Sequence, residues 1–185
     1  MTDHSHLRDP TRRDVLVNAT KAVGLCGCAA FSATLVSSMG PDAEAVAASV
    51  PVDVDLASIK PGDIRKVTWR GKLVLIRRRT AEEIQTAQNP DMSQLLVPEP
   101  DARRIKAGHE EWLVVFGNCP HLGCIPHAHE GEHGGWLCPC HGSEFDISGR
   151  VTKGPASENL GIPDYAFSKD GSFLRIGVRT MEETV

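Results

Sequence analysis

Two short segments of the sequence each carry cysteine and histidine at a spacing that suits a metal ion. They are residues 119–124 (CPHLGC) and residues 138–143 (CPCHGS). Two thiolates and two imidazoles would bind a tetrahedral zinc ion, but zinc would leave Cys124 and Cys140 without a role. A [2Fe–2S] cluster bound by two cysteines and two histidines accounts for all six residues, because the remaining cysteines can tie the two segments together. The candidate ligands are Cys119, His121, Cys138 and His141.

With these two segments, the chain resembles the Rieske iron–sulfur subunit of ubiquinol–cytochrome c reductase, the cytochrome bc complex, in its bacterial form. The resemblance implies one Rieske-type [2Fe–2S] cluster with thiolates on the inner iron and imidazoles on the outer iron. It also implies a disulfide bond, which export to an oxidising compartment would allow to form. By position, Cys119 and Cys138 would bind the inner iron, and His121 and His141 would bind the outer iron. Cys124 and Cys140 would form the disulfide bond.

Three further residues take places around the cluster in this resemblance. Leu122 would shield the cluster and pack against the docking surface of the cytochrome b subunit. Ser143 would donate its hydroxyl to a bridging sulfide, which raises the reduction potential because it stabilises the reduced state. Pro155 would belong to a proline loop, residues 153–157, that covers the cluster from a third side.

Two positions depart from the family's pattern. Ser157 stands where the proline loop usually has a second proline, so one rigid position of that loop is missing here. Phe145 stands where the family often has a tyrosine whose hydroxyl donates to a ligand sulfur. A hydrogen bond to a charged group contributes about 1.5–3 kcal/mol, and only the part that differs between redox states shifts the potential. We therefore expect a potential some tens of mV below that of a tyrosine-bearing relative.

The function that the resemblance implies is electron transfer within a proton-translocating quinol–cytochrome c reductase. The chain would be its redox module, and the cytochrome b subunit would complete the active site. His141 would accept a hydrogen bond from quinol and then a proton, although the sequence alone does not separate it from His121. The implied partners are the cytochrome b subunit, a c-type cytochrome subunit and quinol, in a dimeric complex. A net charge of −4 and the lack of a basic, aromatic-rich patch argue against nucleic acid.

Other classes of protein stay open at this point. An exported Rieske subunit of another oxidoreductase, such as an arsenite oxidase, would share the two segments and the export signal. A soluble Rieske ferredoxin of a dioxygenase system needs neither an anchor nor an extra cysteine pair. A zinc-binding structural module would use the same four ligands without redox chemistry.

The amino-terminal part of the chain predicts export and a membrane anchor. Residues 11–16 (TRRDVL) are typical of a twin-arginine signal, and they begin within the amino-terminal segment, residues 1–14. Residues 15–39 are predicted to form a transmembrane helix. Residues 22–41 carry no charge and would span about 30 Å as a helix. Basic residues before this span and acidic residues after it predict a bacterial inner-membrane protein whose head faces the periplasm. A cleaved signal peptide and a lipoprotein signal ending at Cys28 are the alternatives.

Residues 40–49 are predicted to form a flexible, alanine-rich hinge between the anchor and the head. About eight residues span roughly 12 Å as a helix and about 26 Å when extended. Because so short a helix is marginal in water, both states would be reached at small cost. In the family, this segment lets the head move between two redox partners.

Residues 50–185 are predicted to form the head, a small antiparallel Rieske-type β-sandwich with its cluster-binding loops in residues 117–157. Thr80 and Glu83 form a capping-box pattern, which predicts a helix inside a helix-and-loop insertion at residues 77–111. Apolar runs and alternation predict strands at residues 50–54, 64–69, 73–76, 112–116, 136–137, 162–167 and 173–178.

Two groups of charged or polar residues are expected to lie in solvent. His127, His129 and His133 occupy the stretch between the two cysteine-containing segments, where exposed histidines are a simpler interpretation than a second metal site. Residues 77–79 are three consecutive arginines, and a solvated strand end is favoured there over contact with a membrane surface.

Overall fold

The computed structural model describes residues 11–41, 46–47, 50–131 and 134–180. Residues 1–10, most of the expected hinge, His133 and the tail from Met181 lie outside the described residues. The chain divides into two units, residues 1–44 and residues 45–185, and each has its own architecture.

The described part of the first unit is dominated by one helix, α1 (Arg12–Ser38). It begins earlier than the sequence predicted because Thr11 caps it. The Thr11 hydroxyl accepts the backbone N–H of Asp14, and the Asp14 carboxylate accepts the backbone N–H of Thr11. Its 27 residues extend about 40 Å, and by length and composition the helix could cross a membrane. Cys26 and Cys28 lie within α1.

The second unit is built from short antiparallel strands. They are β1 (Val52–Asp55), β2 (Ile64–Trp69), β3 (Lys72–Arg78), β4 (Trp112–Phe116), β5 (His127–Ala128), β6 (Trp136–Cys138), β7 (Ser143–Phe145), β8 (Val151–Lys153), β9 (Tyr165–Phe167) and β10 (Phe173–Ile176). They form three sheets with the orders β1–β10–β9, β2–β3–β4 and β5–β6–β7–β8. The mainly antiparallel head that the sequence predicted is confirmed. The two-residue and three-residue strands β5, β7 and β8 were not predicted.

The middle sheet packs on both of its faces, which explains the continuous apolar runs of β3 and β4. Val74 and Ile76 of β3 face a core shared with the first sheet, whereas Leu75 faces a second core shared with the third sheet. Strand β4 alternates in the same way, with Val114 on the first side and Leu113 on the second. We call the first two sheets the base, and residues 117–157, which include the third sheet, the tip layer.

The insertion between β3 and β4 contains the predicted helix, α2 (Ala81–Gln88), with Thr80 as its cap. The prediction that the three arginines form a solvated strand end is wrong. Arg77 and Arg79 are 0% and 2% exposed, because the insertion lies over them and supplies carboxylates. Arg79 makes two hydrogen bonds of 2.8 and 3.1 Å to the buried Asp101 carboxylate, and Arg77 pairs with Glu83.

Candidate metal centre

The two cysteine-containing segments form matching turns in the tip layer. In the first, the N–H of Gly123 donates to the carbonyl of Cys119 at 2.8 Å; in the second, the N–H of Gly142 donates to the carbonyl of Cys138 at 3.0 Å. Both glycines have positive φ angles, +83° and +75°, which residues with a β-carbon rarely adopt. Both segments therefore contain a turn with a glycine in the same place and the same closing hydrogen bond, and each turn begins at a candidate ligand.

Each of these turns lies at the end of a strand. Strand β4 ends at Phe116, and Gly117 leads into the first turn; strand β6 ends at Cys138 itself. A β-carbon at Gly117 would lie 2.9 Å from the side chains of Leu73 and Leu75, so any larger residue here would have to displace them.

The thiols of Cys119 and Cys138 lie in the core of the tip layer, where they are 2% and 1% exposed. Burial raises the pKa of the Cys119 thiol, and the adjacent Cys138 thiol raises it further. The backbone N–H of His121 and the hydroxyl of Ser143 oppose this by donating to the Cys119 sulfur. Donors directed at a buried sulfur stabilise its thiolate, which is the form that binds a metal ion.

The imidazoles of His121 and His141 lie beside each other at the surface. Their ring centroids are 4.8 Å apart and the rings are nearly perpendicular, at 86°. His141 is exposed, whereas His121 is partly buried. The arrangement has a buried sulfur side and a solvent-facing nitrogen side, which fits a [2Fe–2S] cluster with two thiolates on one iron and two imidazoles on the other.

Cys124 and Cys140 form a disulfide bond that joins the two turns, with their Cα atoms 6.6 Å apart. The expected disulfide is therefore confirmed, and both cysteines are removed from the set of possible metal ligands. The sulfur atoms of Cys124, Cys138 and Cys140 lie within 4.8 Å of one another, so the covalent tie is next to a candidate ligand.

A third segment, residues 153–157, lies against the second turn. The hydroxyl oxygen of Ser143, which is fully buried, accepts the backbone N–H of Ala156 at 2.9 Å. Because Ser143 accepts this bond, its own O–H is available to a sulfur. Phe145 is 1% exposed in the same core as both candidate thiols, and Pro155 is exposed beside Ala156.

Leu122 lies at the far end of the first turn and is 71% exposed. A single exposed apolar side chain is common on a protein surface, so the docking role expected for Leu122 stays a prediction. Sequence reasoning missed Asn118, whose side-chain N–H donates to the carbonyl of Gly123 at 3.3 Å and closes the first turn. An asparagine immediately before a turn is the signal that could have found it.

His127 and His129 are exposed, as predicted, but their partners differ. His127 Nδ1 faces the Glu130 carboxylate at 3.2 Å, whereas His129 Nδ1 lies 3.2 Å from the guanidinium of the buried Arg77. The stretch between the two turns is therefore attached to the base at His129.

Comparison with known proteins decides the family. A family model described as "Rieske [2Fe-2S] domain" matches residues 51–166. The chain is 50% identical over 173 residues to the ubiquinol-cytochrome c reductase iron-sulfur subunit of Blastochloris viridis, with 94% of this chain and 96% of that one covered. The chain belongs to the Rieske iron–sulfur subunits. The expected [2Fe–2S] cofactor is thereby confirmed.

Two further sequence matches agree with this family. A second Rieske subunit, that of Bradyrhizobium diazoefficiens, is 49% identical over 170 residues, which cover 92% of this chain and 97% of that one. The model described as "Ubiquitinol-cytochrome C reductase Fe-S subunit TAT signal" matches residues 2–42, which confirms the predicted export signal. A solved chain described as "Hyperthermophilic respiratory Complex III" is 26% identical with a TM-score of 0.49, covering 86% of this chain and 97% of that one.

Proposed function

We propose that this Rieske subunit carries single electrons from quinol to a c-type cytochrome, with its cluster bound by Cys119, His121, Cys138 and His141. The observation that carries the proposal is the pair of buried thiols beneath two surface imidazoles, in turns joined by the Cys124–Cys140 disulfide. The buried side provides a dry environment for the thiolates, and the exposed side lets a substrate reach an imidazole.

The bound cluster supplies a one-electron acceptor whose reduction raises the proton affinity of its imidazole ligands. Under this proposal, His141 accepts the quinol hydroxyl hydrogen bond and then the proton, at the ring nitrogen that does not bind iron. Its exposure supports this choice over His121, which is partly buried. Leu122 keeps water away from this nitrogen once the tip layer is docked on the cytochrome b subunit.

Three residues behind the ligands are proposed to tune and shield the site. Ser143 donates its hydroxyl towards sulfur while Ala156 holds the serine oxygen in place. Phe145 fills the core without donating a hydrogen bond, so a tyrosine's contribution to the potential is missing here. Pro155 belongs to the loop at residues 153–157, which would cover the cluster from a third side.

The family and α1 support a proposal on the partners and the location of the subunit. We infer that α1 anchors the subunit in a bacterial inner membrane with residues 1–14 in the cytoplasm and the head on the periplasmic side. The anchor would be joined to the head by the hinge at residues 40–49. The predicted anchor comprises residues 15–39, and the corresponding helix α1 comprises residues 12–38. Movement of the head would then carry the electron from the cytochrome b subunit to the c-type cytochrome subunit of a dimeric complex.

The ligand set is tested by replacing His141 with glutamine in the full-length membrane protein. The Rieske signal of dithionite-reduced membranes in electron paramagnetic resonance should disappear, because glutamine does not replace an imidazole ligand. His127→Gln is the matched control, since His127 is an exposed histidine of the same layer whose ring nitrogen faces the Glu130 carboxylate. A Rieske spectrum that survives His141→Gln refutes the ligand assignment.

The enzyme complex is tested separately. An affinity-purified wild-type subunit should bring b-type and c-type haems with it and should reduce a c-type cytochrome when quinol is added. Purification without b-type and c-type haems would instead point to another exported oxidoreductase, such as an arsenite oxidase. Zinc in place of iron and acid-labile sulfide would contradict both.

A further inference from the structure

Arg77 is a fully buried arginine between the base and the tip layer. It lies on β3 two residues from Leu75, so both side chains point from the same face of the strand towards the tip layer. A buried guanidinium is costly unless its charge is balanced and its N–H groups are bonded. Its surroundings therefore indicate what the charge is used for.

The contacts of Arg77 converge on the stretch that leads into β6. Both terminal nitrogens donate to the carbonyl of Gly134 at 3.3 Å, and the guanidinium lies 5.4 Å from the ring centroid of Trp136. One of these nitrogens also lies 3.2 Å from His129 Nδ1. Because arginine has donors and no acceptor, Nδ1 of His129 is the acceptor in this contact. Arg77 thus holds residues on both sides of the loop before β6, and β6 ends at Cys138.

Glu83 supplies the countercharge from α2, with its Oε1 2.5 Å from Arg77. Its other oxygen accepts the backbone N–H of Thr80 at 3.0 Å and so caps the helix. The Glu83 side chain is 17% exposed, whereas that of Arg77 is 0% exposed. Water therefore screens the charge of Glu83 better than that of Arg77.

Two further donors in this region have no acceptor among the described residues. They are Nε of Arg77 and Nε1 of Trp136, both buried. Unpaired N–H groups carry positive partial charge, as does the guanidinium. The interior next to β6 therefore favours negative charge, and a reduced [2Fe–2S] cluster is more negative than an oxidised one.

We propose that Arg77 is a positioning residue for Cys138 and that the Arg77–Glu83 ion pair sets the reduction potential of the cluster. The proposal rests on the proposed ligand role of Cys138. Arg77 fixes the path of β6 through Gly134 and Trp136, and its charge raises the potential, while Glu83 lowers it. In general, two unit charges about 10 Å apart, at an effective dielectric constant of about 20, interact strongly enough to change an equilibrium roughly tenfold.

The test measures the midpoint potential of the cluster in full-length protein carrying R77M, E83Q or both. We expect R77M to lower the equilibrium constant for reduction about tenfold, which is about 59 mV for one electron. E83Q should raise this equilibrium constant by a smaller factor, because Glu83 is the more exposed member of the pair. Glutamine removes the countercharge yet can still cap α2. The double variant should lie between the two single variants. D53N, which removes the charge of an exposed ion pair in the base, should leave the potential unchanged.

A second measurement follows the positioning without using the potential. Hydrogen–deuterium exchange of residues 134–138 should be faster in R77M and unchanged in E83Q, because only R77M removes the bonds to Gly134. Shifts of the same sign in R77M and E83Q, or an unchanged potential in E83Q, would overturn the proposed electrostatic role. Unchanged exchange in R77M would overturn the positioning role.

The outcomes also separate this proposal from the proposed function. If R77M does not retain a cluster, E83Q alone decides the sign of the electrostatic effect. A wild-type protein without a Rieske signal would contradict the proposed function, whereas a normal signal with an E83Q potential equal to that of wild type contradicts only the role of Arg77 and Glu83.

Discussion

The base and the tip layer of the head are stabilised in different ways. In the base, β2, β3 and β4 pair over five or more residues, and their apolar side chains pack into a closed core. In the tip layer, strands β5 to β8 have two or three residues each, and a disulfide, glycine turns and buried polar bonds hold the chain. In the base, apolar packing of regular strands is enough to stabilise the fold. In the tip layer, the backbone around the proposed ligands is irregular, so a disulfide and hydrogen bonds keep the ligands in place.

The sharpest way to break this comparison uses two adjacent residues on β3. Ile76 packs in the base core and Leu75 in the tip-layer core, and both are at most 1% exposed. Replacing either with alanine should lower the free energy of unfolding by about 2–5 kcal/mol. Only Leu75→Ala should also alter the electron paramagnetic resonance spectrum, because Leu75 shares a core with both proposed thiolate ligands. An altered spectrum in Ile76→Ala would show that the two regions are not separate.

The disulfide should matter more to the cluster than to the base. Replacing both Cys124 and Cys140 with serine opens a link of sequence separation 16, which costs about 3 kcal/mol. Because this link joins the two turns, iron content and the Rieske signal should fall before the fold of the base is lost. The measurements are iron per protein and far-ultraviolet circular dichroism on the same sample. Full iron content after this change would contradict a positioning role for the bond.

A hydroxyl added in the tip layer should change the potential, whereas one added in the base should not. Phe145→Tyr introduces a donor into the core that contains both proposed thiolate ligands, so the potential should rise by some tens of mV. Phe173→Tyr in β10 is the matched control and should leave the potential unchanged. Redox titration of both variants decides the matter, and equal shifts would exclude a direct bond to sulfur.

The smallest expected effect lies on the surface of the base. Arg175 of β10 donates two hydrogen bonds to Asp53 of β1 and lowers the pKa of its carboxyl. A lowered pKa contributes stability above the ordinary Asp range, and this is lost as the pH falls through the folded-state pKa. Because the Asp53 side chain is 49% exposed, Asp53→Asn should cost at most about 1 kcal/mol at pH 7 and nothing in strong acid. Chemical denaturation at both pH values measures this, and the cluster spectrum should not change.

The local sequence was sufficient where a short-range pattern decides the structure. The apolar runs gave β2 and β4 with the observed bounds, and the capping box at Thr80 gave α2. The cysteine and histidine spacing gave the disulfide pairing through resemblance to a family. These features depend on side-chain periodicity, capping and residue type, which can be read within a few positions.

The tertiary structure alone decided features that depend on residues distant in the chain. Arg77 and Arg79 were expected in solvent because three consecutive charges are normally solvated. They are buried because Glu83 and Asp101 come from an insertion that folds over them. The strands β5, β7 and β8 are too short to show a period, so only pairing with their neighbours defines them. The greater exposure of His141 than of His121 likewise follows from how the two turns meet, because burial depends on the three-dimensional surroundings of a residue.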